Sequence, residues 1–185
     1  MLSTDQKGTI AEAAIVLAAV KIGVDVYRPV GEGGRCDLVL GVGGSLLRVQ
    51  CKWAARSGDV IVIRCYSARR SKGGKLITRR YSTAEVDAFA AYSADLDRCF
   101  LLPAELWAMR RLVQLRIGPT LNNQARGINC ADDYDFAARL GALGAVAQLG
   151  ERESGTLEVT GSIPVGSTGL LRSERLFDPV LRTGS

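Results

Sequence analysis

Four polar side chains interrupt apolar sequence at spacings that suit one kind of chemistry. Glu12 sits in the run 10–20, which otherwise holds five alanines and larger apolar residues. Asp37 heads Asp37-Leu38-Val39-Leu40, and Gln50 and Lys52 break into Leu46-Leu47-Arg48-Val49-Gln50-Cys51-Lys52-Trp53. With a two-residue repeat, Leu47, Val49 and Cys51 face one side of an extended segment and Arg48, Gln50 and Lys52 the other. Gly43-Gly44-Ser45 between the two segments is a hairpin turn. The turn brings the Asp37 carboxylate beside Gln50 and Lys52, on a rigid element rather than a loop. A carboxylate, an amide oxygen and the backbone carbonyl of Cys51 form an oxygen set that suits Mg²⁺, and Mn²⁺ can substitute. Glu12 adds a second carboxylate, either directly or through a bound water. A hard cation on these oxygens polarises a phosphodiester and acidifies a water. A lysine alongside orients or deprotonates that water and offsets charge building at phosphorus.

Composition narrows the field further. The chain has no histidine. That removes Ser-His-Asp and Cys-His catalysis and histidine-based zinc sites, so hydrolysis must run on carboxylates, lysine and a metal ion. Five cysteines, Cys36, Cys51, Cys65, Cys99 and Cys130, are odd in number and form no CxxC pair. Reduced thiols in a cytoplasmic protein fit better than disulfides, with Cys36, Cys51 and Cys65 expected inside strands. The run 10–20 is too short and too polar to span a bilayer, and no secretory leader opens the chain, so no membrane partner is expected. At 185 residues, one compact domain with a tail is expected.

The elements that must position the four residues can be read from caps and periodicity. Ser3 and Gln6 have capping-box spacing and open a helix that Gly23 closes. Strands are expected over 24–28, 37–42, 46–53 and 60–66, then over 98–102 and 112–117, with a helical turn around Trp107. Ser82-Thr83-Ala84-Glu85 has the form of a second capping box and predicts a short helix through Tyr92. The fold class is α/β, a mixed central sheet with flanking helices over residues 1–143.

Residues 68–81 carry Arg69, Arg70, Lys72, Lys75, Arg79 and Arg80 with no acidic residue, around Gly73-Gly74. Such a segment is commonly a solvated hairpin, and it also suits phosphate contacts on double-stranded DNA. Arg79, Arg80 and Tyr81 are candidates to reach base edges. Asn122, Asn123, Gln124 and Arg126 have side chains that pair with bases or phosphates, although a polar loop capping its own turns explains them equally.

In Glu12, in Arg35-Cys36-Asp37-Leu38 and in Arg48-Val49-Gln50-Cys51-Lys52, the chain resembles the PD-(D/E)XK nuclease superfamily. It is most similar to the branch of homing endonucleases associated with group I introns. The stretch from Leu115-Arg116-Ile117 through Asn122-Asn123-Gln124 to Gly127-Ile128-Asn129 resembles that branch too, so the likeness covers about residues 4–136. The resemblance implies a PD-(D/E)XK core in which Asp37 is the principal metal ligand and Lys52 the catalytic lysine. It places Gln50 at the position of the second acid and makes Glu12 the helix carboxylate. Cys36 stands where the motif has proline, and Gln50 removes one negative charge from the site; the homing branch also shows glutamine there. The implied activity is site-specific double-strand cleavage by a homodimer or homotetramer, because one active site cuts one strand. Two other readings stay open, a structure-specific or repair nuclease on the same fold and a DNA-binding module whose catalysis has decayed.

From Gly144 the composition changes. Val146-Ala147-Gln148-Leu149 and Gly161-Ser162-Ile163-Pro164 resemble a translated tRNA gene, the first its D-arm (GTGGCTCAGTTG) and the second its T-arm (GGTTCGATTCC). Residues 146 and 161 lie fifteen codons apart, the usual distance between those arms. Residues 144–185 are therefore expected to be a weakly ordered tail, read through a tRNA gene or its remnant, as suits a mobile element.

Overall fold

The computed structural model describes residues 1–31, 33–119 and 127–154. Helix α1 (Thr4–Lys21) starts where the capping box predicts. Ser3 Oγ accepts from the Gln6 N–H at 3.1 Å, and Gln6 Oε1 accepts from the Ser3 N–H at 2.9 Å. Gly23, at φ +74°, ends the helix in the left-handed region open to glycine. Ala11, Ile15 and Ala19, four residues apart, form its buried stripe.

Strands β1 (Asp25–Tyr27), β2 (Leu38–Val42), β3 (Ser45–Ser57) and β4 (Val60–Arg64) follow as an antiparallel meander. Gly43 and Gly44 have φ of 55° and 77°, the doubly positive pair of a type I′ turn. That turn fixes the register from Val42 opposite Ser45 to Leu38 opposite Val49. The strand expected over 60–66 divides at buried Cys65. Beyond it β5 (Tyr66–Arg70) and β6 (Leu76–Arg80) form a separate two-stranded hairpin.

The helix expected after Ser82 is not formed. Only half of the box is made: Ser82 N and Oγ both donate to Glu85 Oε2 at 3.1 Å, while the Glu85 N–H donates to Ser82 O at 3.0 Å instead of to Oγ. It closes one turn, after which β7 (Ala88–Ser93) runs parallel to β3. Four of its first four residues are buried, so both faces of this alanine-rich strand lie in the core. Short apolar runs buried on both sides carry no period that separates helix from strand, and tertiary pairing decides. Arg48 enforces the choice. It holds Asp87 through Nη2 at 2.6 Å and Nε at 3.0 Å, which fixes the entry to β7 and engages the guanidinium in an ion pair.

Then follow β8 (Arg98–Pro103), α2 (Ala104–Trp107), β9 (Leu112–Arg116), a 3-10 turn (Ala131–Tyr134) and α3 (Phe136–Ser154). The compositional change at Gly144 falls inside α3, and residues 155–185 lie outside the described residues. The main sheet runs β1-β2-β3-β4-β9, with β7 beside β3 and β8 beside β7. It separates two cores. Ile15 and Ala19 of α1 and Phe136 and Leu140 of α3 cover Leu38, Leu40, Val49 and Ala90 on one face. On the other, Phe89 stacks on Trp107 at 4.6 Å amid Ile61, Ile63, Phe100, Leu102 and Leu115. Fully burying a side chain of this size contributes about 1.5–3 kcal/mol, so these two layers hold the sheet that carries the site.

All five cysteines are free thiols, Cys51 and Cys65 buried. Of the three expected in strands only Cys51 is in one; Cys36 lies in the bend before β2 and Cys65 between β4 and β5. Among the described residues no helix is long and apolar enough to cross a membrane.

Candidate active site

The long strand β3 changes partners along one edge. β2 pairs with it as far as Val49, and β4 takes over only at Ala54. Residues 50–53 are paired on the opposite edge, with Phe89 to Tyr92 of β7. A notch is left between β2 and β4, and the side chains predicted to do chemistry gather around it.

Asp37, the last residue before β2, takes the place of a missing strand partner. Its N–H donates to Val49 O at 2.9 Å, and its Oδ2 accepts from the Cys51 N–H at 2.8 Å. The Gln50 amide Nε2 donates to the same Oδ2 and reaches Cys51 O at 3.4 Å. The N–H and C=O of one strand residue point to the same edge, so the Cys51 carbonyl also opens into the notch. Burial pushes the Asp37 carboxyl above its usual value; the Cys51 N–H, the Lys52 ammonium and the Gln50 amide act in the opposite direction.

Glu12 approaches from α1, on the far side of the sheet from the Lys52 side chain. Burial raises its carboxyl, and the neighbouring Asp37 carboxylate raises it further, while Arg28 opposes both. Two partly buried carboxylates that repel each other are a pair that a cation would relieve. The donor chemistry fits a hard divalent ion: Asp37, Glu12, the Cys51 carbonyl, and the Gln50 amide once turned to present Oε1. The Gln50 NH₂ group now lies between two of these oxygens. Cys51 offers its carbonyl only, because burial holds its thiol far above the ordinary value. Among the described residues no three His, Cys, Asp or Glu side chains converge, since half of this donor set is amide and backbone oxygen.

Lys52 extends to the other face. Burial lowers its ammonium, and the attraction of Asp37 partly restores it. Its Nζ donates to Tyr81 Oη at 3.2 Å and lies 4.7 Å from the centre of the Tyr81 ring. Tyr81 is thus half-buried beside Lys52. Arg35 stacks on the same ring at 3.8 Å. Neither neighbour was picked out as part of the site from sequence; the only signal was their position beside Asp37 and beside the basic segment. The notch therefore brings together Glu12, Asp37, Gln50 and Lys52, all four residues read as chemical.

The basic residues lie elsewhere. Arg69, Arg70, Lys72, Lys75, Arg79 and Arg80 are all exposed on the β5–β6 hairpin. Arg79 is paired with Glu85 at 2.5 Å, and Arg35 joins the same carboxylate at 3.2 Å. Asn122, Asn123, Gln124 and Arg126 lie outside the described residues.

The profile of the PD-(D/E)XK endonuclease family matches residues 2–137. The fold is similar to the solved structure of a bacterial homing endonuclease, I-Ssp6803I, at 25% identity and a TM-score of 0.61, covering 84% of this chain and 100% of that one. No curated protein matches. Endonucleases of this family generally use divalent metal ions and act on DNA. The match spans α1, the hairpin of Asp37 and Lys52 and the whole sheet, and the chain belongs to the PD-(D/E)XK endonuclease family.

Proposed function

We propose that this chain is a Mg²⁺-dependent endodeoxyribonuclease of homing type, cutting both strands of a specific DNA site. The observation that supports this reading is the junction at Asp37, where the Asp37 carboxylate, the Gln50 amide group and the Cys51 carbonyl meet within one hairpin with Lys52 alongside. Likeness to a bacterial homing endonuclease along the full length of that chain favours the homing type.

Asp37, Glu12, Gln50 through Oε1 and Cys51 through its carbonyl would hold the ion. When bound, Mg²⁺ or Mn²⁺ supplies Lewis-acid polarisation of the phosphate and a more acidic water. Lys52, desolvated and with a lowered ammonium, accepts or orients the proton of the attacking water and offsets charge on the phosphate oxygens. Asp37, held by the Cys51 N–H and through its own N–H on Val49 O, keeps the ion site in register with Lys52. The exposed hairpin binds the duplex backbone. Two or four copies would act together, one site per strand. Free thiols suit action in the cytoplasm. The reading of residues 144–168 as a translated tRNA gene is retained, and the nucleotide sequence of the locus tests it: it must fold as a cloverleaf.

The activity is tested by incubating the protein with plasmid libraries and Mg²⁺, alongside Lys52→Ala and Asp37→Asn. Discrete cleavage by the wild type, lost in both variants, is the expected result. Salt-dependent DNA binding without cleavage would sink the nuclease reading in favour of a decayed DNA-binding module.

A further inference from the structure

We infer that Tyr81 is a positioning residue for Lys52, and that it ties the basic hairpin to the reacting centre. The inference rests on the proposed role of Lys52 and concerns a residue to which that role assigns nothing.

Lys52 forms no ion pair among the described residues, although Asp37 is close enough to influence it. Its ammonium is held instead by one neutral acceptor, Tyr81 Oη at 3.2 Å, and by two rings, Tyr81 at 4.7 Å and Phe89 at 5.8 Å. This arrangement suits a lysine that must work. A full ion pair would occupy the ammonium, whereas one hydroxyl uses one of its three donors and leaves two for a water and a phosphate. A lysine stem has several rotamers to lose, so without such a hold the amine would be spread over several positions.

Tyr81 is itself fixed from two sides. Its ring meets Phe89 edge-on at 5.2 Å, and Phe89 is anchored by Trp107. Its other contact is the Arg35 guanidinium, 3.8 Å from the ring centre. Arg35 then reaches both strands of the hairpin, donating to Ser67 Oγ at 3.1 Å on β5 and to Arg80 O at 2.7 Å on β6. Glu85 closes the clasp by holding Arg35 and Arg79 together. A continuous run of contacts therefore joins the ammonium of Lys52 to the base of the hairpin proposed to bind DNA.

Tyr81→Phe keeps the ring and the Arg35 stack and removes only the hydroxyl; Tyr81→Leu removes both. Three quantities decide the matter: single-turnover cleavage at saturating DNA, DNA affinity without Mg²⁺, and acetylation of Lys52 followed by mass spectrometry against Lys72 and Lys75. For Tyr81→Phe the cleavage rate is expected to fall about 10-fold or more, as misplacement of a reacting group does. DNA affinity should stay within about two-fold, well under the tenfold that 1.4 kcal/mol represents. Acetylation of Lys52 should rise several-fold while Lys72 and Lys75 do not change. Tyr81→Leu should show a larger rate loss; if it fails to fold, Tyr81→Phe decides alone. Wild-type rate and wild-type acetylation in Tyr81→Phe would overturn the inference, as would affinity falling in step with rate. Should the wild type itself not cleave, the nuclease reading fails, and the acetylation of Lys52 still judges the hold of Tyr81 on it.

Discussion

Neutralising the hairpin should flatten the salt dependence of DNA binding by an amount that its geometry sets. Arg79 is already matched by Glu85, and Arg80 lies at the clasp, so the charges to remove are Arg69, Arg70, Lys72 and Lys75. The register places Arg69 opposite Ile77 and Arg70 opposite Leu76, which puts these two arginines on opposite faces of the ribbon. Lys75, whose carbonyl accepts from the Ser71 N–H at 2.9 Å, falls on the face of Arg69, and Lys72 lies in the turn. A ribbon lying flat on the duplex would place three of the four against phosphates; one inserted into the major groove would place all four. Each neutralised phosphate contributes about 0.9 to the log–log slope, so the fourfold alanine variant should lose about 2.7 flat and about 3.6 inserted. At 0.1 M salt the same arithmetic lowers affinity by about 500-fold or about 4000-fold. Fluorescence anisotropy with a labelled duplex, without Mg²⁺ and across a salt series, reads both numbers. Lys21→Ala with Arg139→Ala removes two charges on α1 and α3, away from the hairpin, and should leave the slope unchanged. A loss below about 1 in the quadruple variant would mean that the hairpin is not the phosphate-binding element.

The remaining predictions concern the carboxylates of the notch. Glu12 and Asp37 are both raised in the folded chain, so in chelator each contributes stability that is present at low pH and lost as pH rises from its ordinary value, 4.5 and 3.8, through its raised one. Asp87 and Glu85 are lowered and act in the opposite direction, so the quantity to follow is the difference between wild type and Glu12→Gln. Glu12→Gln should abolish cleavage yet melt about 1–4 °C higher than wild type near neutral pH, with the gap closing in acid; a lower melting temperature would contradict the repulsion between the two carboxylates. Asp37→Asn keeps an acceptor for the Cys51 N–H, whereas Asp37→Ala leaves that group without its partner at a cost of about 1–3 kcal/mol. Thermal melting should therefore separate two equally inactive variants, with the alanine form several degrees lower.

Much of this site was legible in the chain because its residues are set by local rules. A type I′ turn at Gly43-Gly44 and a two-residue repeat suffice to place Asp37 beside Gln50 and Lys52. The capping box of Ser3 and Gln6 likewise fixes the phase of the helix that presents Glu12. The failures are non-local. Ser82 to Glu85 closes a turn as its residues suggest, but whether the next residues continue as helix depends on β3, thirty-odd residues earlier, and on the grip of Arg48 on Asp87. Tyr81 reads as a candidate for base edges because its neighbours in sequence are basic, while its neighbours in space are Lys52, Arg35 and Phe89. Arg48 shows the limit of periodicity, which puts it on the side of Gln50 and Lys52 but cannot show that a carboxylate 39 residues away takes it.

The break in pairing along β3 explains why these functions meet in one place. A sheet whose strands were paired throughout would bury the Cys51 N–H and C=O in its ladder and keep α1 on one face from Lys52 on the other. Leaving residues 50–53 without a partner on one edge frees a backbone carbonyl to act as an oxygen donor, and it lets side chains from both faces approach the same edge. The Asp37 carboxylate then satisfies the exposed Cys51 N–H, so the residue that would hold the ion also finishes the local hydrogen bonding. β7 continues alongside the other edge through Tyr92, so the interrupted strand keeps its ladder on that side where it is unpaired on this one. The site is thus a gap in hydrogen bonding supported by an intact strand behind it, and its carboxylates are raised by burial and, at Glu12, by the Asp37 charge, so a cation held there would make the folded chain more stable.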